Sequence, residues 1–262
     1  MNAVQQLYYY RKSLSTTTYK SRGQRLIRCE SCRLAQTHCI CQFAPKTATI
    51  KRLTAGHSEL SAAFLLLMHD IEVLKPSNTG KLIADLVNET YAFLWSRTVP
   101  NSELLAVLND PQWQAFLVFP SHYAEENREV IQDKVVCAVG KRPLFIMLDG
   151  SWREAKKMFR KSPYLAGLPM VSFNPQQQLP QLDEGKKITS RYQIRLASED
   201  YQFATAEVAA RVLAMAGEYN KAHLLDLWFD VFSYQYQKSV CQTNKGNPQA
   251  IENYQAYINQ IK

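Results

Sequence analysis

The chain has 262 residues, 46% of them hydrophobic and 21% charged, which supplies a sizeable core and excludes a mostly disordered protein. The longest apolar run, residues 62–68, is far short of the roughly 20 residues of a spanning helix. The net charge of +8 is unevenly placed: residues 1–56 hold ten Lys and Arg against one acid, Glu30, so this segment nets +9 and the rest of the chain −1. A basic segment on a near-neutral body is the footprint of a polyanion binder, although a solvated basic tail has the same composition.

In chain order, residues 1–20 read as a helix turn or a mobile arm carrying Tyr8, Tyr9 and Tyr10. There is no apolar stretch followed by a small-residue cleavage site, so the cytoplasm is the expected compartment. Four of the six cysteines then fall together as Cys29, Cys32, Cys39 and Cys41, spaced C-x2-C-x6-C-x-C. Four thiolates at such spacing give the closed tetrahedral shell of structural zinc. They can also hold an iron–sulfur cluster, whereas disulfides are disfavoured without an export signal. Arg22, Arg25, Arg28 and Arg33 surround the knuckle, and their forked guanidinium groups suit phosphate.

From residue 62 onward the hydrophobic pattern alternates strand and helix. Strands are expected at residues 64–69, 92–97, 115–119, 143–148 and 170–173. Helices are expected at residues 79–90, 101–109, 125–134, 151–161, 203–219, 224–236 and 249–261. The result is an α/β protein with a mostly parallel sheet covered by helices on both faces. Three units are expected: a basic segment with the knuckle at 1–56, a catalytic body at 57–240 and a tail at 241–262.

In parallel sheets ligands sit beyond the carboxyl ends of the strands. Three strand ends carry chemistry: His69 to Glu72 leading into Ser77-Asn78-Thr79-Gly80, then Phe119-Pro120-Ser121, then Leu148-Asp149-Gly150-Ser151-Trp152. Asp149 follows five apolar residues and precedes a glycine, so it belongs at the mouth of the sheet. Ser151 with Glu154 also reads as a helix capping box. No G-x-G-x-x-G or Walker A pattern is present, which leaves a dinucleotide or nucleoside triphosphate site unsupported.

Asp149-Gly150-Ser151-Trp152 resembles the D-x-T/S-W signature of the DTW-domain family. The knuckle, His69-x-x-Glu72, Ser77 to Gly80, Phe119-Pro120-Ser121, and Arg153-x-x-Lys156-Lys157-Met158 agree with it in order. Ser190-x-Tyr192-x-Ile194-Arg195 and Thr205-x-Glu207 resemble its closing motifs, and the likeness spans roughly residues 27–220.

The resemblance implies a SPOUT-like fold with a C-terminal trefoil knot that binds S-adenosylmethionine. It also implies transfer of the 3-amino-3-carboxypropyl group to N3 of a uridine in tRNA, in the variable loop, with release of 5'-methylthioadenosine. On that reading Asn78, Thr79 and Gly80 face the donor's carboxylate. Leu117, Phe119, Pro120, Ser121, Leu148, Gly150, Ser151, Leu168 and Val171 line the adenine slot. Asp149 is either the base for N3 or the ligand of the donor's ammonium. Trp152 stacks on the uracil or packs under its helix. Arg153, Lys156, Lys157 and Arg195 track RNA phosphates or form a solvated face. A methyltransferase of the same fold and a non-catalytic zinc RNA-binding module are the rival readings. A monomer is the working expectation, with no membrane partner.

Overall fold

The computed structural model describes residues 1–17, 19, 25–54, 61–173, 190–191, 203–240 and 243–261. Its centre is a six-stranded sheet built from β1 (Ala63–Met68), β2 (Thr90–Leu94), β3 (Trp113–Val118), β4 (Val130–Ile131), β5 (Arg142–Asp149) and β6 (Met170–Val171). The strand order is β2-β1-β5-β3-β6-β4, and every pairing is parallel. The two longest apolar runs, β1 and β5, lie side by side in the middle. That is where a strand is buried on both faces and needs no polar alternation.

The period of two along β1 sorts its side chains between the layers. Phe64, Leu66 and Met68 join one core, and Ala63, Leu65 and Leu67 join the other. The second core is closed by α4 (Ser102–Asn109) and α5 (Trp152–Arg160), through Leu104, Ala155 and Met158. The first is larger and gathers α3 (Gly80–Leu86), α6 (Thr205–Met215), α7 (Tyr219–Val240) and α8 (Ala250–Gln260). Trp228, Phe229 and Phe232 of α7 are among its largest fully buried side chains. No described helix is long and apolar enough to cross a membrane.

The N-terminal segment belongs to this first core. Residues 3–13 form α1 (Ala3–Ser13), started by a capping box between Asn2 and Gln5, with Val4 and Leu7 buried. They are a packed helix and not a mobile arm. Arg11 fixes its far end by a two-pronged ion pair to Asp70, one arm at 2.7 Å. Leu34 and Ile40 of the knuckle and Leu53 of α2 (Thr47–Thr54) enter the same cluster.

Two further expectations are corrected. Residues 125–134 are not helical. Val130 and Ile131 form an edge strand beside β6, and Arg128 pins the preceding turn by donating to the carbonyls of Leu168 at 2.8 Å and Leu165 at 2.6 Å. A β-branched pair in reach of an open edge follows the ladder despite its polar surroundings. The helix expected over 79–90 stops at Leu86, because Thr90 turns back to the Val87 carbonyl and opens β2.

If α1 is structural, Leu7→Ala should cost about 2–3 kcal/mol in urea unfolding, as for a buried leucine near the edge of a core. A cost within a few tenths would mark α1 as loosely held.

Candidate active site

The carboxyl ends of β1 and β5 lie in register, Met68 opposite Asp149, and the His69 N–H donates to the Asp149 carbonyl at 2.8 Å. The Asp149 side chain is 2% exposed. A carboxylate so buried needs donors. Asn78 Nδ2 donates to its Oδ2 and the Thr205 hydroxyl to its Oδ1, each at 2.7 Å. These donors come from the loop before α3 and the first residue of α6, so one side chain draws three distant segments together.

Gly80 permits that approach. A Cβ at residue 80 would lie 2.6 Å from Asp149 Oδ2, closer than packed atoms come. Asn78 also serves α3 directly, since its Oδ1 accepts from the Lys81 N–H at 3.3 Å in the first turn of that helix. Its Nδ2 lies 3.4 Å from Oε1 of Glu72, a fully buried carboxylate that receives Lys75 Nζ at 2.7 Å. Thr79 Oγ1 accepts from the Ala206 N–H at 3.3 Å and so holds α3 against α6.

A second buried acid organises the start of α6. Glu207 accepts from the backbone N–H groups of Ala204 and Arg191 and from the Ser190 hydroxyl, each at 2.8 Å. Burial pushes its carboxyl above the usual range, against the pull of Arg191. Arg191 in turn pairs with Asp226, and with Asp230 at 2.9 Å, and lies over the Phe229 ring.

At the end of β5, Ser151 and Glu154 form the capping box of α5. Burial acts to raise the Glu154 carboxyl, but the hydrogen bonds from Ser151, with His69 and Lys75 nearby, hold it below the usual range. Trp152 is half-buried and stacks on Phe119, with ring centres 5.6 Å apart, and Phe119 stacks on Phe159 at 4.6 Å. One face of Trp152 is therefore committed to packing.

Of the slot residues, Pro120, Ser121, Leu148, Gly150, Ser151 and Leu168 are partly exposed around the strand ends. The Ser121 N–H is held by Ser172 Oγ at 2.9 Å. Phe119 is buried inside the ring stack. Leu117 and Val171 are fully buried in the sheet and paired in the β3–β6 ladder, so they face the core rather than open space. Arg153 and Lys157 sit one turn apart on the exposed side of α5, Lys156 is half-buried beside them, and Lys157 lies over Trp95. Arg25 is exposed and Arg28 partly so. Arg33 is a correction: it is 5% exposed and turned into the protein, where no phosphate reaches it. Arg22 and Arg195 lie outside the described residues.

Sequence reasoning places Glu72 and Thr205 in the motifs His69-x-x-Glu72 and Thr205-x-Glu207 but gives neither a role at the site. Thr205 is remote in sequence from Asp149, and no local spacing reveals a contact made only by folding.

The four knuckle thiols are unpaired and their sulfur atoms all lie within 4.8 Å of one another. The Cys29–Cys41 and Cys32–Cys39 pairs are at 3.6 and 3.7 Å. Tetrahedral zinc with Zn–S bonds of about 2.3 Å sets sulfurs about 3.8 Å apart, so the thiols fit that ion. Burial pushes the Cys32 and Cys41 thiols up, whereas at Cys29 burial is outweighed by hydrogen bonds from the neighbouring turn and thiols, which bring it down to about 7.

The described residues thus form an all-parallel α/β sheet with polar groups converging at the carboxyl end, where such sheets take ligands, beside four thiols arranged as a metal would need them. Comparison with known families matches the DTW domain over residues 26–237, and the chain belongs to that family. The family is generally associated with tRNA aminocarboxypropyltransferase activity. No solved structure matches the chain.

Gly80→Ala should cost about 1–3 kcal/mol in denaturant unfolding, the usual penalty for overpacking. Most of that cost should vanish in a background carrying Asp149→Ala, which removes the clashing oxygen. Equal costs in the two backgrounds would show that the contact is not the reason for glycine.

Proposed function

We propose that this protein transfers the 3-amino-3-carboxypropyl group of S-adenosylmethionine to N3 of a uridine in tRNA. Family membership supports the reaction class. The observation that carries the reading here is the buried Asp149 carboxylate at the mouth of the sheet, with neutral donors on both oxygens.

S-adenosylmethionine supplies an electrophilic carbon beside its sulfonium. The N3–C bond forms as that carbon's bond to sulfur breaks, and the electron pair leaves with neutral methylthioadenosine. All three carbons on a sulfonium are activated, so the enzyme must choose one by position. Holding the donor's ammonium and carboxylate is how the amino-acid arm is chosen.

Asp149, held at the mouth of the sheet by Asn78 and Thr205, is placed to meet the donor's ammonium. The N3 proton then passes to water. Asn78, Thr79 and Gly80 shape the wall for the donor's carboxylate. Pro120, Ser121, Leu148, Gly150, Ser151 and Leu168 edge the adenine slot. Trp152, with its inner face held by Phe119, offers its outer edge to the uracil. Arg153, Lys156 and Lys157, with Arg25 and Arg28, take the tRNA phosphates. Cys29, Cys32, Cys39 and Cys41 hold zinc that shapes the knuckle and takes no part in the chemistry. A SPOUT-type knot belongs to the same reading. The segments flanking Ser190 and Arg191, residues 174–189 and 192–202, lie outside the described residues.

Incubation of purified protein with S-adenosylmethionine and unmodified tRNA, followed by nucleoside mass spectrometry, should show aminocarboxypropyluridine and methylthioadenosine. Adenosylhomocysteine instead would make the protein a methyltransferase, and neither product would leave a binding module. Asp149→Asn should weaken S-adenosylmethionine binding by about 10–100-fold in calorimetry, the range for a hydrogen bond to a charged group. Unchanged binding with lost turnover would return Asp149 to the role of base. Replacing Arg153 and Lys157 with glutamine should flatten the salt dependence of tRNA binding by about one unit of slope per lost phosphate contact.

A further inference from the structure

Two cations are buried at the seam between the knuckle and the donor site, and they cross it in opposite directions. Arg33, next to the ligand Cys32, reaches from the knuckle to the site loop, where Nη1 donates to the Val73 carbonyl at 2.6 Å. Lys81, in the first turn of α3, reaches from the site to the knuckle, where Nζ donates to the Cys32 carbonyl. Nζ also lies 3.4 Å from the Pro76 carbonyl. The residues are 5% and 4% exposed. Each cation lies over an aromatic ring, Arg33 over Tyr8 at 4.7 Å and Lys81 over Phe232 at 4.5 Å.

The arrangement is costly, which argues that it has a use. Burying a charge is unfavourable without a counter-charge. Arg33 Nη2 has no hydrogen-bond partner among the described residues. Arg33 also has a φ of 62°, the one positive φ at a non-glycine residue among those described, which directs its side chain inward at a steric cost. Asp85 acts on both groups, yet burial still pushes the Lys81 ammonium down to about 7. A metal that orders the knuckle would hold in place the Arg33 backbone and the Cys32 carbonyl, from which the two hydrogen bonds across the seam run.

The tethered segment is the one that forms the donor site. Val73 and Pro76 flank Lys75, and Lys81 follows Asn78, Thr79 and Gly80 directly. We infer that Arg33 and Lys81 form a reciprocal clamp through which the metal-loaded knuckle fixes residues 72–81 and so places Asn78 beside Asp149. Both are positioning residues, and neither touches the reacting atoms. The inference rests on the transferase reading only in taking this segment as the wall of the donor site.

The test uses the full chain as purified, after zinc removal by a chelator, and after zinc is returned. Hydrogen exchange is followed by mass spectrometry. Metal removal should speed exchange in peptides covering residues 72–86 at least tenfold while residues 142–149 stay protected. S-adenosylmethionine affinity should fall at least tenfold, and returned zinc should restore both. Arg33→Met should raise exchange in the same peptides with one zinc still bound per chain, and Arg33→Lys should recover part of the protection. If Arg33→Met fails to fold, the wild-type series alone decides. A chain purified without zinc, or exchange in 72–86 indifferent to zinc, would overturn the clamp. A chain that never binds S-adenosylmethionine would refute the transferase reading instead, and the exchange measurement would still judge the clamp.

Discussion

A carboxylate withdrawn from water at the end of a central strand has to be met by donors, and Asp149 meets two that lie far apart in the chain. Asn78 arrives from the loop after β1 and Thr205 from the helix that returns after β6. Once both are engaged, α3 and α6 have little freedom to slide over the sheet, and Gly80 must be small. The polar groups at the mouth of the sheet are thus held in fixed places by the need to satisfy one buried acid.

Glu207 repeats the device at the next level. It holds Ser190 and Arg191 by hydrogen bonds while capping α6, and Arg191 reaches on to the acids of α7. The first acid fixes the helices that frame the mouth, and the second fixes the chain that approaches it. Helix α1 completes the frame from outside, because its Arg11 is bound to Asp70, one residue beyond His69.

The parts legible in the sequence are those set by local pattern. The unbroken apolar runs of β1 and β5 announce central strands, and their ends mark the mouth of the sheet. The cysteine spacing announces the knuckle, and Ser151 with Glu154 announces a cap that the structure contains. What escapes depends on partners distant in the chain. Val130 and Ile131 are a strand only because β6 offers an edge. Residues 3–13 look polar, yet Val4 and Leu7 are buried and Arg11 pairs with Asp70, partners that lie far along the chain. Arg33 reads in sequence like its basic neighbours, and nothing local distinguishes an arginine that turns inward from one that stays in water. The Thr205 contact to Asp149 belongs to the same class, since a hydroxyl has no periodicity to reveal its target.

The strand order also bears on how the chain is assembled. β5 lies between β1 and β3, yet it is made after both. Before residue 149 is made, β1 and β3 have no neighbour between them, and an exposed apolar edge is prone to pair with other chains. β5 joins the two and brings Asp149 beside Asn78, while Thr205, made 56 residues later, supplies the second donor. The strand that protects the edges is therefore in place before its own acid is fully satisfied.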